Sequence, residues 1–283
     1  MKKERGNRLL LAPLYLFSLL FVFFPMLYMF FLSFMTRGEV WGYEVSLTLE
    51  NYAQMADPIY VNTFLQSLLL AVLTTLFVTL IGYPFGYFMA RLSEKGKRRV
   101  MVLVMIPFWC SELIRLRGWT IVFGSNGLLD KILMGLHITE APLKWLYSYP
   151  IVVFGMVYAL LPFMMLCVYS SIEKMDWSLV EAARDLGATP AQAFWQMTFP
   201  LSMPGFLSGV VLTFVPSMGL FYVADILGGN KIVLIGSLIQ QQMTKGRNLP
   251  FAAALAVILM ILTTLMIEIY RRITHSRELE GIV

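Results

Sequence analysis

Residues 178–200 read Ser-Leu-Val-Glu-Ala-Ala-Arg-Asp-Leu-Gly-Ala-Thr-Pro-Ala-Gln-Ala-Phe-Trp-Gln-Met-Thr-Phe-Pro, a polar, punctuated stretch in a chain that is otherwise one apolar run after another. Ser178 followed three residues later by Glu181 predicts a capping box, in which the two side chains satisfy the orphan amides of a helix start. Gly187 then supplies the left-handed residue on which helices commonly end. A second start follows at once, since Thr189-Pro190-Ala191-Gln192 offers a cap, a proline at the first helical position and a glutamine at the third. Pro200 predicts the end of that second helix. The first helix carries Leu179, Ala182, Ala183 and Leu186 at helical spacing, a narrow face of small and apolar residues. Either a partner docks on that face, or it lies on the membrane or on neighbouring loops.

Outward from this loop, six segments are long and apolar enough to cross a bilayer, for which about 20 residues are needed. They are Leu9–Met35, Thr63–Ala90, Val100–Phe123, Pro150–Ser171, Leu201–Ile226 and Pro250–Tyr270. The third is the weakest, because it carries Glu112, Arg115 and Arg117. The basic N-terminus (Lys2, Lys3, Arg5, Arg8) is no cleaved leader: the apolar run behind it exceeds 15 residues and shows no small-residue cleavage site. Arg91, Lys95, Lys97, Arg98, Arg99, Lys174, Arg184, Arg271, Arg272 and Arg277 fall on the same side as these bases. The opposite side holds only Arg37, Lys131, Lys144, Lys231, Lys245 and Arg247. That asymmetry predicts both termini in the cytoplasm. The expectation is a single all-α, polytopic membrane domain over residues 1–283, with six transmembrane helices and an inner loop at 173–200.

Composition narrows the class further. With 58% hydrophobic and 14% charged residues the chain cannot cover a water-soluble globule. Its net charge of +5 sits beside the apolar spans rather than on one face, which argues for topology and against nucleic acid. Cys110 and Cys167 lie in apolar runs and read as small buried hydrophobes rather than a disulfide. No G-x-x-x-x-G-K-[ST] loop occurs, so ATP hydrolysis would belong to another chain. His137 and His275 fall in an outer loop and the inner tail, which leaves no catalytic or metal-ligating set inside the spans. A channel or secondary transporter would satisfy the span count but has no need of the helix–Gly–helix loop.

Glu181-Ala182-Ala183, Gly187 and Phe199-Pro200 resemble the EAA loop of bacterial ABC-importer permeases, with departures at Met197 and Phe199, where that family prefers isoleucine and leucine. The resemblance implies the type I ABC-importer permease fold, no cofactor, and a bacterial inner-membrane location. It also implies that the first loop helix inserts into a cleft of a cytoplasmic ATPase, with Glu181, Ala182, Ala183 and Gly187 as the coupling residues. The implied partners are a second, similar permease, two ATPase copies and an extracytoplasmic solute-binding protein. A narrower resemblance, to spermidine/putrescine permeases, rests on Gly82–Phe85, Ile106–Trp109, Leu160–Met164, Tyr169–Lys174, Glu181–Gly187 and Gly219–Asp225. It implies a polyamine substrate; related branches carry other small solutes, anions included.

A flexible polycation wants carboxylates for its ammonium groups and aromatic faces for its methylenes. Glu112 lies roughly 18 Å into the third segment, and ionisable residues at that depth are functional candidates. Trp109, three residues earlier, would share its helix face. Arg115 supplies the rival reading, in which Glu112 and Arg115 simply neutralise each other. Asp225, about 36 Å along the fifth segment, would stand near the outer mouth with Phe221 and Tyr222 one turn before it. Those three either receive an entering cation or form an interfacial belt and a solvated loop residue.

Overall fold

The computed structural model describes residues 13–39, 42–143, 145–229 and 231–280, the last eight of them by backbone only. Lys2, Lys3, Arg5, Arg8, Lys144 and the side chains of His275 and Arg277 therefore lie outside the described residues. The chain divides into two compact units, Met1–Asn62 with Leu238–Thr264 and Thr63–Ser237 with Leu265–Val283.

In the first unit, helix α1 (Pro13–Leu32) leads into an antiparallel hairpin, β1 (Met35–Arg37) and β2 (Tyr43–Leu47), and a short α2 (Glu50–Gln54). Every residue of α1 up to Phe31 is exposed. A helix apolar all round has no solvent to face but lipid or another helix. The hairpin is pinned to its neighbour by Asn51, whose Nδ2 donates to the carbonyls of Ser33 and Met35, both at 2.9 Å.

The second unit is built around α7 (Tyr149–Glu173), which opens with Pro150 in its first turn. Helices α3 (Pro58–Ala90) and α9 (Pro190–Gly219) pack along it. Two glycine pairs at i, i+4 make the approach close: Gly82 and Gly86 on α3, Gly205 and Gly209 on α9. A Cβ on Gly82 would lie 2.8 Å from the Met164 side chain, and one on Gly209 would lie 2.5 Å from the Met164 sulfur. Small residues at this spacing are how membrane helices gain van der Waals contact where lipid tails offer no hydrophobic drive. Gly209→Leu should therefore cost about 1–3 kcal/mol by overpacking. We expect a lower thermal midpoint and less monodisperse protein by fluorescence-detected size-exclusion chromatography; an unchanged profile would mean this approach does not hold α7 and α9.

Among the described residues, five helices are long and apolar enough to cross a membrane: Pro13–Leu32, Pro58–Ala90, Tyr149–Glu173, Pro190–Gly219 and Leu249–Arg272. The last is the apolar part of α12 (Leu249–Glu280). The expected third span, Val100–Phe123, is not one helix. It is α4 (Glu94–Met105), a 3₁₀ turn over Ile106–Trp109 and α5 (Glu112–Phe123), with Cys110 extended at φ −94°, ψ 143°. Pro107 lies in the 3₁₀ turn and lacks the N–H that would continue the α-helical ladder. A small α6 (Leu128–Gly135) follows α5. The fifth expected span is also divided: the chain turns at Leu220 (φ −73°, ψ 60°), and α10 (Phe221–Gly228) runs on separately. The estimate of Asp225 at 36 Å assumed one straight helix and does not apply. Helix α11 (Ile235–Thr244) precedes α12.

Proline acts differently from place to place. Pro84, Pro162 and Pro216 sit inside continuous helices. Pro200 does not end the second loop helix; Pro190–Gly219 is helical throughout. The helix widens into a π turn over Phe194–Thr198, with the Phe199 N–H donating to the Phe194 carbonyl. Helix α1 does the same over Leu19–Phe23, just before Phe24-Pro25. A proline ring crowds the carbonyl four residues back, and the wider i→i+5 turn relieves it.

Candidate functional site

The loop between α7 and α9 folds into the two short helices its sequence predicts, with one change at the start. Helix α8 (Ser178–Asp185) has no capping box at Ser178. Its cap comes from two residues earlier, where Asp176 Oδ1 accepts from the Ser178 N–H at 3.0 Å. The hydrogen bonds from Ser178 hold the Asp176 carboxyl below the usual carboxylate range. At the other end Gly187 is left-handed at φ +94°, with open space where a side chain would begin. The second start is a complete capping box: Gln192 N–H donates to Thr189 Oγ1, and the Gln192 side chain accepts from the Thr189 N–H at 2.8 Å. Leu186, the residue after α8, is 90% exposed, and on α8 Leu179 and Ala182 are exposed beside a half-buried Ala183.

The loop is seated on an aromatic cluster that sequence inspection missed. Trp177, immediately before α8, lies 6.4 Å from the Tyr87 ring, and the Arg91 guanidinium lies 5.6 Å from both ring centres. Phe194 meets Tyr87 at 5.6 Å, and Tyr83 shares a 2.7 Å hydroxyl contact with Ser202. Tyr83 and Tyr87 are one helical turn apart near the C-terminal end of α3, a spacing that could have signalled a shared face. A second tie is Lys97, which reaches Glu94 at 2.9 Å and Glu173 at 3.4 Å. Those carboxylates, Glu94 first, raise the Lys97 ammonium above its ordinary range. Trp177, ahead of α8, and Phe194, in α9, thus pack on the end of α3 through rings, and Lys97 ties α4 to the end of α7.

The solute candidates fall into a second place. Glu112 stands in the first turn of α5, where the helix dipole favours a carboxylate. Its Oε2 accepts a hydrogen bond of 2.6 Å from Tyr222 at the start of α10. Phe221 lies beside Tyr222, ring centres 6.0 Å apart. Asp225, one turn further, accepts from Ser237 Oγ at 3.2 Å. Glu112, Tyr222 and Phe221 are therefore brought together, with Asp225 on the next turn of the same short helix.

Two expectations are corrected here. Trp109 does not share a helix face with Glu112, because the chain breaks between them; Trp109 is 84% exposed. Arg115 forms no ion pair with Glu112 among the described residues. Its guanidinium lies 5.6 Å from the Phe108 ring centre and 5.4 Å from that of Tyr158, with Nε buried and without a hydrogen-bond partner. Phe108, in the 3₁₀ turn, and Tyr158, on α7, thus hold a cation already, and Trp119 on α5 packs edge-on to Phe154 on α7 at 4.8 Å.

Comparison with known proteins places this geometry in a family. Residues 82–278 match the family described as binding-protein-dependent transport system inner membrane component. The chain is 43% identical to the spermidine/putrescine transport system permease protein PotB of Salmonella typhimurium (strain SL1344), over 89% of this chain and 88% of that protein. It is 42% identical to PotB of Escherichia coli (strain K12), over 89% and 92%, and 39% identical to that of Haemophilus influenzae, over 95% and 94%. Among solved structures, a bacterial alginate ABC transporter, crystallised with an alginate pentasaccharide-bound periplasmic protein, superposes with TM-score 0.78 at 18% identity, over 96% of each chain. The MetNI methionine ABC transporter does so with TM-score 0.60 at 21% identity, over 79% of this chain and 99% of that one. These structural likenesses speak to the fold. The chain, an all-α membrane protein with the ABC-importer permease fold, belongs to the binding-protein-dependent transport system inner membrane component family.

Proposed function

We propose that this chain is the membrane-spanning permease subunit of an ATP-driven polyamine importer, passing spermidine or putrescine across the bacterial inner membrane. The observation that carries the reading is its identity of 43% to a spermidine/putrescine permease over nearly the full length of both chains. In this reading the chain is one permease domain with both termini cytoplasmic, paired with a second permease. Two ATPase copies act on loops such as 178–187 through Glu181, Ala182, Ala183 and Gly187. An extracytoplasmic binding protein delivers the solute. Glu112 and Asp225 take ammonium groups, Phe221 and Tyr222 line the methylenes, and the exposed Trp109 lies along the approach. An anionic solute is the second reading, and the half-buried Arg115 is the observation that favours it.

The test is uptake of labelled spermidine by proteoliposomes holding the complete transporter. Glu112→Gln removes the charge and keeps the size; Tyr222→Phe removes the hydroxyl that orients it. We expect Glu112→Gln to lower uptake at least tenfold, since hydrogen bonds to charged groups are worth about 1.5–3 kcal/mol. Tyr222→Phe should lower it several-fold, with assembly unchanged in both. Spermidine uptake at the unmodified rate in Glu112→Gln would remove this site. Absence of spermidine uptake by the unmodified transporter, with uptake of an anion, would favour the second reading.

A further inference from the structure

The bases that follow α3 are sorted by what they touch. Arg91 is spent on Tyr87 and Trp177, and Lys97 on Glu94 and Glu173. Lys95, Arg98 and Arg99 are exposed, and among the described residues none of them forms an ion pair. At about 100° per residue, Lys95, Arg98, Arg99, Val102 and Leu103 fall within an arc of roughly 140° on α4, while Lys97 points to the opposite side. Those same five residues line one groove of about 510 Å³. Small-molecule sites span roughly 300–1,000 Å³, so the groove is of a size to hold a ligand. Its two ends differ in chemistry. Three cations stand in the first two turns of α4, and Val102 and Leu103, 50% and 66% exposed, stand on the turn that follows.

We infer that the Lys95–Leu103 face of α4 is a binding site for an anionic phospholipid, its phosphate held by Lys95, Arg98 and Arg99 and its acyl chains by Val102 and Leu103. The ligand must carry negative charge, because three bases line the groove and the carboxylate of the same two turns, Glu94, is paired with Lys97 and is not part of the lining. It must also carry apolar length along the same groove, which a free phosphate or a nucleotide lacks. A lipid of the inner leaflet satisfies both at once where an amphipathic helix meets the bilayer. Such a lipid would brace α4 beside the Lys97–Glu173 tie, and so steady the seat of the loop. This site is separate from the Glu112–Tyr222 pair and does not depend on which solute is carried.

The test uses the complete transporter, purified in mild detergent, stripped of lipid and titrated with dioleoyl phosphatidylglycerol or dioleoyl phosphatidylcholine. Bound lipid is counted by native mass spectrometry. We expect phosphatidylglycerol to bind in preference, and the triple variant Lys95→Gln/Arg98→Gln/Arg99→Gln to lose that preference by roughly 100-fold, about fivefold for each base. Leu103→Asn should weaken phosphatidylglycerol without creating affinity for glycerol phosphate. Equal binding of the two lipids by the unmodified complex would overturn the site. Displacement of phosphatidylglycerol by millimolar inorganic phosphate would make it a soluble-anion site and also overturn the proposal. Failure of the triple variant to assemble with the second permease would show that a protein covers this face, with the same consequence.

Discussion

Gly187→Val is expected to leave the protein in the membrane at its normal level and to lower solute-stimulated ATP hydrolysis by the assembled transporter at least tenfold. Two effects usually travel together when a glycine is replaced, crowding and backbone strain, and here they separate. Apart from its chain neighbours, no heavy atom lies within 4 Å of the Cβ position at Gly187, so a Cβ there is not crowded. The φ of +94° remains, and a β-branched residue is strained there whatever the space. Holding a non-glycine residue in such a region costs of order 1–3 kcal/mol. α8 would answer by giving up its last turn, and Ala183 and Leu186 would lose their common face. Gly187→Asn should recover much of the activity, because asparagine visits the left-handed region more readily than valine does. Stimulated hydrolysis at the unmodified rate in Gly187→Val would remove the loop's end from the coupling mechanism.

Ala183→Arg should act on assembly rather than on turnover. Ala183 is half-buried on α8 beside the exposed Ala182, small enough to let a groove close over it. Forcing an unpaired guanidinium into an apolar groove costs several kcal/mol. We expect the amount of ATPase that co-purifies per permease to fall roughly 100-fold in apparent affinity, with the permease itself folded. Normal stoichiometry with Ala183→Arg would place the docking face elsewhere on the loop. Together the two substitutions separate the loop's shape from its contact surface.

What could be read in advance was what depends on neighbours in sequence. The first, second, fourth and sixth spans follow from runs of apolar residues, although the first helix ends at Leu32 with Met35 in β1, residues 9–12 of that expected span lie outside the described residues, and the second begins earlier, at Pro58. Gly187 and the Thr189–Gln192 box follow from torsional and capping preferences that act over three or four residues. The third span did not follow, since hydropathy counts side chains while Pro107 and the extended Cys110 act on the backbone. Asp176 was overlooked as a cap because Ser178 matched the same motif two residues later. The meeting of Glu112 with Tyr222 crosses 110 positions and could not be seen locally. Each residue was a candidate by type, but the hydrogen bond between them is a property of packing. The glycine pairs at 82/86 and 205/209 lay in plain view as i, i+4 repeats, and their meaning depended on what stands opposite on α7: Met164 for Gly82 and Gly209, Val168 for Gly86 and Ser171 for Gly205.

The π turn at Phe194–Thr198 also sets a phase. A turn closed at i→i+5 holds one residue more than its α-helical counterpart, and one residue is about 100° of rotation. The loop helices upstream of it and the span downstream are therefore indexed to each other like two wheels on one shaft, offset by a single tooth. Point substitutions within the turn change its fit, but removing one residue between Ala193 and Phe199 would rotate Trp177, α8 and the face carrying Leu179, Ala182 and Ala183 around the axis of α9. Chain length across this short interval is thus as much a determinant of the loop's aim as the identity of any residue on it.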